Sequence, residues 1–434
     1  MEAPSVKSRN VFLNRNFRLV FFGALVSELG AVLYSFAVSF YILEITGNNA
    51  FLQGLYLALC GAVMLIATPI GGVLGDRFNK ARIMFICDYL KGGIIILATA
   101  LMLTFRTNEA HTVILFAAGI LGNAVSGIFN PASGALLPHI VEENRLQQAN
   151  SYFSVKNSLL SILGVVLAGI LYAALSVYTL FFAVGVCYVI SGISEMFIRY
   201  KNDPPKDKLT VKTALRDMGE GFRYVKAQKA LLALMGAILF INFFFSPVAS
   251  NFIPFFVKTD VALAPSYLFD GFLTPELWYS AVCLLIGLSS LVSALVLSTR
   301  EQEEKCGHKT AVRLCIIAAL MVLMTIGYYV LVDRGVSLNA FLILLCAGAA
   351  LLGTIITYIN VPLNTTIMRM VDKDKLSKVT SIISITSQGL VPISSVLAGA
   401  ILQSLGSTSL LAFSSVGLAA AALMLLFNKE AKKI

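Results

Sequence analysis

Charge is what this sequence has least of. Of 434 residues only 13% are Asp, Glu, Lys or Arg, while 58% are hydrophobic and the mean hydropathy is +0.83. Soluble domains carry roughly 25% charged residues, which excludes that class here. The three histidines, His111, His139 and His308, lie far apart in or beside loops, so a zinc site built from them is not expected. The seven cysteines (60, 87, 187, 283, 306, 315, 346) form no CxxC pair and fall mostly inside apolar runs. They read as small apolar residues rather than disulfides or metal ligands. No GxxxxGK[ST] loop is present, so ATP is not the direct energy source. No surface cluster of His, Asp or Cys supports a membrane enzyme, and the chain is read as a non-enzyme without cofactors.

What is present is a succession of apolar stretches, each long enough to cross a bilayer at about 20 residues per helical span. Twelve are predicted near 17–43, 52–75, 83–105, 112–131, 151–174, 178–198, 230–257, 277–298, 311–332, 338–360, 379–404 and 409–427. The expected fold is therefore an all-α polytopic membrane protein. The net charge of +10 would suit nucleic acid, but its distribution points elsewhere. With both termini cytoplasmic, 28 of the 33 Lys and Arg residues fall on one side. This is the positive-inside bias, which sets orientation in a cell (inner or cytoplasmic) membrane, and no nucleic-acid partner is expected. The N-terminal apolar run reads as a retained first helix, since eleven spans follow it.

The tetrapeptide VLAG occurs at 166–169 and again at 396–399, and the 230-residue offset also matches Asn130 to Asn360 and Ser151 to Ser381. Six spans on each side of the charged stretch 199–229 fit a duplicated bundle. The expected organisation is a six-helix bundle over 1–198, a cytoplasmic linker over 199–229 and a second bundle over 230–434. Parallel halves with a cavity between them near the midplane are a transporter arrangement. Within the linker, Leu215, Met218, Phe222 and Val225 recur at 3 and 4, which predicts a short amphipathic helix against membrane lipid or a solvated tether.

Between the second and third spans lies GGVLGDRFNKARIMF (71–85), a charged hinge flanked by glycines. Gly72, Asp76, Arg77 and Lys80 match the signature loop of the major facilitator superfamily, which this stretch resembles. Asn79 stands at the second Gly, a position where Asn tolerates left-handed backbone, and Arg82 substitutes for a displaced basic residue. Gly71, Gly72 and Gly75 are expected to let helices approach closely. The resemblance implies a cytoplasmic gate made of Gly72, Asp76, Arg77, Lys80 and Arg82, with Asp88 nearby. In the equivalent loop of the second half, STREQEEKCGHKTAVR, the Gly-Asp-Arg spacing is missing, so the gate is expected to be asymmetric.

Glu28 sits deep in the first span, where a charge costs about 2.5–3.5 kcal/mol on insertion scales. Ala24, Ala31, Ser35 and Ser39 share its face at 3 and 4 spacing. Two readings are open: a proton-coupling or cation-binding carboxylate, or a structural ion pair to a neighbouring helix. Lys156 is the candidate partner, unless it snorkels to the surface. Asp88 and Lys91, three apart, pair with each other or with the signature loop, and Glu195 sits at the interface. Polar cavity-lining candidates are Ser35; Asn123, Ser126 and Asn130; Asn242 and Ser246 beside Phe243; and Thr354, Thr357 and Asn360. Phe243, Phe244 and Phe245 form an aromatic wall with few charges, which suits a large apolar or amphipathic substrate.

The segments NRNFRLVFFGALVSELGAVLYSFAVSFYILEITGN, the signature loop and EGFRYVK together resemble the macrolide-efflux-like branch of that superfamily, which is similar also to siderophore exporters and lysophospholipid transporters. The resemblance implies two functions on one fold: export of amphipathic drugs or siderophore-like molecules by proton exchange, or flipping of a lysolipid. It implies rocker-switch alternating access driven by the proton gradient, and the protein is expected to act as a monomer.

Overall fold

A computed structural model of the chain describes residues 11–142, 145–199, 228–298, 306–370 and 386–428, with the isolated positions 223 and 226; side chains are described for fewer, and not for Asp76. The predicted linker helix and the duplicated position Ser381 lie outside these residues. Among the described residues the regular structure is helical.

The first half contains α1 (Arg15–Ile45), α2 (Ala50–Arg77), α3 (Lys80–Thr104), α4 (Asn108–Ile140), α5 (Gln148–Ala174) and α6 (Val177–Met196). Their starts are written in short polar residues. The Asn14, Asn49, Asn79, Thr107 and Ser176 side chains each accept hydrogen bonds from backbone N–H groups of the first turn. Left-handed Gly47 and Asn48 turn α1 into α2. The fourth helix runs well past the predicted end at 131, through Pro131 and Pro138, because neighbouring groups in a protein-lined membrane interior tolerate the lost bonds.

The second half contains α7, which runs as Lys229–Pro247 and continues to Val261 through two π-helical turns, Val248–Phe252 and Val257–Val261. It is followed by α8 (Pro275–Ser298), α9 (Cys306–Tyr328) and α10 (Leu338–Met370). The last span-length helix, Thr386–Phe427, is too long for one crossing and breaks at Gly406, whose φ of 82° no α-helix accommodates. It divides into α11 (residues 386–405) and α12 (residues 407–427), giving twelve crossings.

The two bundles repeat one pattern. In the first, α2 packs on α4 and α3 on α6; in the second, α8 packs on α10 and α9 on α12. Without a hydrophobic drive between helices in lipid, close approach depends on small residues. A Cβ on Gly71 would sit 2.5 Å from the Gly127 carbonyl oxygen, and one on Gly127 would sit 2.6 Å from Ala67 Cβ, so α2 and α4 touch through their backbones. Gly75 faces Ala132 of α4, whereas Gly72 has nothing within 4 Å. Gly72 therefore does not serve that approach, contrary to expectation, because it lies on the other face of α2.

The bundles meet through α2 with α11 and α5 with α8. Both copies of VLAG end at these seams. Gly399 packs against Ala50 and Phe51 of α2, and Gly169 against Ser280 of α8. The duplicated motif thus sits at two pseudo-equivalent places, each letting one bundle touch the other.

Candidate functional site

The first bundle contains a cavity of ≈ 370 Å³. Ser35, Asn123 and Ser126 lie on its wall as anticipated from α1 and α4, together with Tyr34, Tyr56 and Lys91. Along α1, Ala31 and Ser35 are exposed and Glu28 is half-buried, while Gly30, Leu33, Phe36 and Ala37 between them are buried. The helix thus presents one open polar stripe and packs its other sides.

Glu28 on that stripe is ion-paired to Lys156 of α5 through its Oε1. With its amide nitrogen turned toward α1, Asn157 donates to Glu28 Oε2 at 3.2 Å and to the Phe153 carbonyl at 3.3 Å. Lys156 does not snorkel: it is 2% exposed, and its ammonium lies 4.8 Å from the centre of the Phe153 ring. The asymmetry matters, because the Glu28 side chain is 46% exposed while that of Lys156 is 1% exposed. The carboxylate faces open space and the ammonium is shut behind it. A π-helical turn, Leu160–Gly164, follows immediately on α5 and widens the helix beside the pair. Such turns recur at functional positions.

In the second bundle, Asn242 and Asn360 line a separate cavity of ≈ 230 Å³ whose other walls are mostly Ile and Leu. Phe245 lines this cavity and a neighbouring apolar one between α7 and α10. Phe243, Ser246, Thr354, Thr357 and Asn130 are on none of these walls. Phe243 packs edge-on to Phe244 at 5.0 Å. The Ser246 carbonyl accepts from Ser250, Thr354 donates back to the Ala350 carbonyl, and Thr357 donates to the Gly353 carbonyl. Of the three-phenylalanine wall one ring, Phe245, faces these cavities, because successive helical positions point about 100° apart.

At the basic end, Asn79 does not take the left-handed backbone anticipated for it. It is extended (φ −62°, ψ 114°) and caps α3, its side chain accepting from the Arg82 N–H at 3.1 Å. The Asn is there for its oxygen. Arg77 and Arg82 are exposed and Lys80 is buried. Asn79, Arg82 and Arg199 rim an open vestibule that reaches Glu195.

Two residues expected at a surface or in a simple pair are instead deeply buried. Asp88 of α3 and Glu195 of α6 are both 0% exposed, and none of their four carboxyl oxygens accepts a hydrogen bond. Glu195 packs against α1 at Gly23, with the Glu195 Cγ 3.4 Å from where a Cβ would be. Lys91 makes no close pair with Asp88; its ammonium lies over the Phe129 and Tyr188 rings at 4.6 and 5.3 Å.

At the opposite end the bundles are tied together. Lys258 of α7 bridges Glu276 of α8 at 3.1 Å and Glu44 of α1 at 3.3 Å, and Tyr172 of α5 donates to Glu44 at 3.3 Å. Gln403 of α11 accepts from the Ala50 N–H at 2.9 Å. Phe36 and Phe40 of α1 pack edge-on against Tyr279 of α8 at 5.4 and 5.6 Å. Sequence reasoning missed this latch; the one signal was Lys258, among the few basic residues outside the basic side.

The comparisons with known proteins accord with this geometry. The Major Facilitator Superfamily model matches residues 20–394. The MFS-type transporter YvqJ of Bacillus subtilis is 23% identical over 96% of this chain and 93% of its own length. Macrolide efflux protein A of Streptococcus pyogenes is 24% identical over 55% of this chain and 58% of its own. A bacterial homologue of the iron transporter ferroportin, solved in an inward-facing state, superposes with a TM-score of 0.70 at 15% identity, covering 96% of this chain and 98% of that one. Twelve crossings in two repeated bundles, a glycine-flanked Asp-Arg loop after the second, and a family match over most of the length together make this chain a member of the Major Facilitator Superfamily.

Proposed function

We propose that the protein is a proton-coupled exporter of amphipathic small molecules, working by alternating access in the cell membrane with both termini cytoplasmic. The observation that carries this reading is the Glu28–Lys156 pair, a half-open carboxylate on a shut-in ammonium beside a cavity of Tyr, Ser and Asn residues. Protonating Glu28, or placing a substrate cation on it, removes the partner of a buried ammonium and so changes the energy of the surrounding packing. The likeness to macrolide efflux protein A supports an amphipathic substrate. The tie between Lys258 of α7 and Glu44 of α1, at the end opposite the basic side, supports assigning this conformation to the cytoplasm-facing state. The Asp76–Arg77 loop locks the halves in the outward-facing closure as they rock. No cofactor or protein partner enters the cycle.

The test is transport by wild type and Glu28→Gln in liposomes, with internal pH followed while lipophilic cations, macrolides and lysolipids are added. The expected outcome is substrate-dependent proton movement in the wild type and its loss in Glu28→Gln. Lysolipid movement with no proton flux, unchanged in the variant, would remove the coupling role and assign a flippase instead.

A further inference from the structure

The buried charges between α3 and α6 have no place in the cycle above. Asp88 and Glu195, both 0% exposed and without a hydrogen bond, lie within electrostatic range of each other and of Lys91. The fully buried Ser191 hydroxyl stands beside Asp88, also without a well-formed hydrogen bond. The packing that encloses them is tight: a Cβ on Gly92 would sit 2.9 Å from the Gly185 carbonyl oxygen, and one on Gly192 would sit 3.2 Å from the Tyr89 ring. The surrounding elements add few charges. From α3 there is Cys87, from α6 Tyr188, from α4 the Phe129 ring, and from α1 Glu28, itself held by Lys156 of α5.

The charge balance of this group is odd. Two ionised carboxylates and one ammonium leave a net charge of −1 in a closed, apolar place, where an uncompensated charge costs several kcal/mol. One added proton makes the group neutral. Two neighbouring carboxyls in a dry site take up their protons as a unit rather than separately. The group also has two outlets: Glu195 touches the vestibule rimmed by Asn79, Arg82 and Arg199, and Lys91 touches the cavity of α1 and α4.

We propose that Asp88 and Glu195 form a proton-binding site that holds one proton between them, filled from the basic-end vestibule at Glu195 and facing the cavity through Lys91. This site goes beyond the coupling role assigned to Glu28 and does not depend on it. Lys91 balances whichever carboxylate remains ionised, so a cation entering the cavity is felt at the pair.

The test needs no substrate. Infrared difference spectra of the purified protein in lipid nanodiscs, taken across a pH step, report protonated carboxyls through their C=O stretch. A pH-dependent band is expected in the wild type and in Glu28→Gln. It should vanish in Glu195→Gln and in Asp88→Asn, since each leaves one carboxylate matched to Lys91. Heavy-carbon labelling of Asp and Glu carboxyls should shift the wild-type band without altering the fold, which keeps the test valid if a variant does not fold. A band that survives both single substitutions in folded protein, that shifts with neither label, or that is lost in Glu28→Gln would overturn the proposal. Loss of proton flux in liposomes with the band intact in Glu28→Gln is the outcome expected when the two sites are separate, and it distinguishes failure of this proposal from failure of the role assigned to Glu28.

Discussion

At the scale of single residues, the Glu28–Lys156 pair is unequal, and the inequality sets what substitution does. Removing one partner of a fully buried pair costs about 3–5 kcal/mol because the other charge stays buried and unmatched. Here the Lys156 side chain is shut in and that of Glu28 is 46% exposed, so solvent screens part of the interaction. Glu28→Gln should therefore fold and lose roughly 1–3 kcal/mol. Adding Lys156→Gln removes the orphaned ammonium and should restore most of the loss. Thermal unfolding of the two single variants and the double variant in one detergent checks this; additive losses in the double variant would mean that the charges do not depend on each other. Both residues were legible in the sequence, because a charge deep in an apolar run is too costly to be incidental. Asp88 and Glu195 were visible as charges but not as neighbours, since 107 positions separate them and only the packing of α3 on α6 brings them together.

At the scale of helices, hydropathy recovered the crossings well, because each span must satisfy its own backbone within lipid and so needs a full apolar length. Its failures have physical causes. The fourth helix outruns its predicted end because proline does not stop a helix whose neighbours cover the lost bonds, and the π-helical turns of α5 and α7 leave no mark on hydropathy. Glycine roles were half legible: Gly71 and Gly75 face α4, while Gly72, one position on, faces open space. The repeated VLAG told more than periodicity did, since it marked both seams between bundles. Gly399→Val should keep α2 and α11 apart, because its side chain runs into the Ala50 carbonyl, 2.5 Å from the Cβ position. The seam then opens at the end carrying Lys258. With the native cysteines replaced by serine, Ser35→Cys in the cavity should react several times faster with an impermeant maleimide added from that side. Gly93→Val, where no atom lies within 4 Å, serves as the control and should leave the rate unchanged. Equal rates in both variants would remove Gly399 from the seam.

At the scale of the whole molecule, the conformation is decided by which end is tied. The ties that cross the bundles at the Lys258 end are α7 to α1 and α11 to α2, and Tyr172 of α5 holds the same α1 carboxylate from within its own bundle. Lys258 is the hub, with a side chain 14% exposed, and of its two partners Glu276 is 16% and Glu44 55% exposed. An exposed pair is worth about 0.2–1 kcal/mol, so the Glu44 contact alone would hold little. The Glu276 contact is more enclosed, but α7 and α8 belong to one bundle, so it holds the Lys258 ammonium in place rather than joining the halves. Lys258→Met should therefore cost the closed arrangement about 0.2–1 kcal/mol, moving the ratio of the two states by roughly 1.5- to 5-fold. Spin labels on α2 and α11 at the tied end, read by pulsed electron resonance, should report a longer distance population growing at the expense of the shorter one. A similar shift is expected in Glu44→Gln, which removes the crossing contact and leaves Lys258 on Glu276. A distance distribution identical in wild type and Lys258→Met would show that the small-residue seams hold the end closed without the ion pairs.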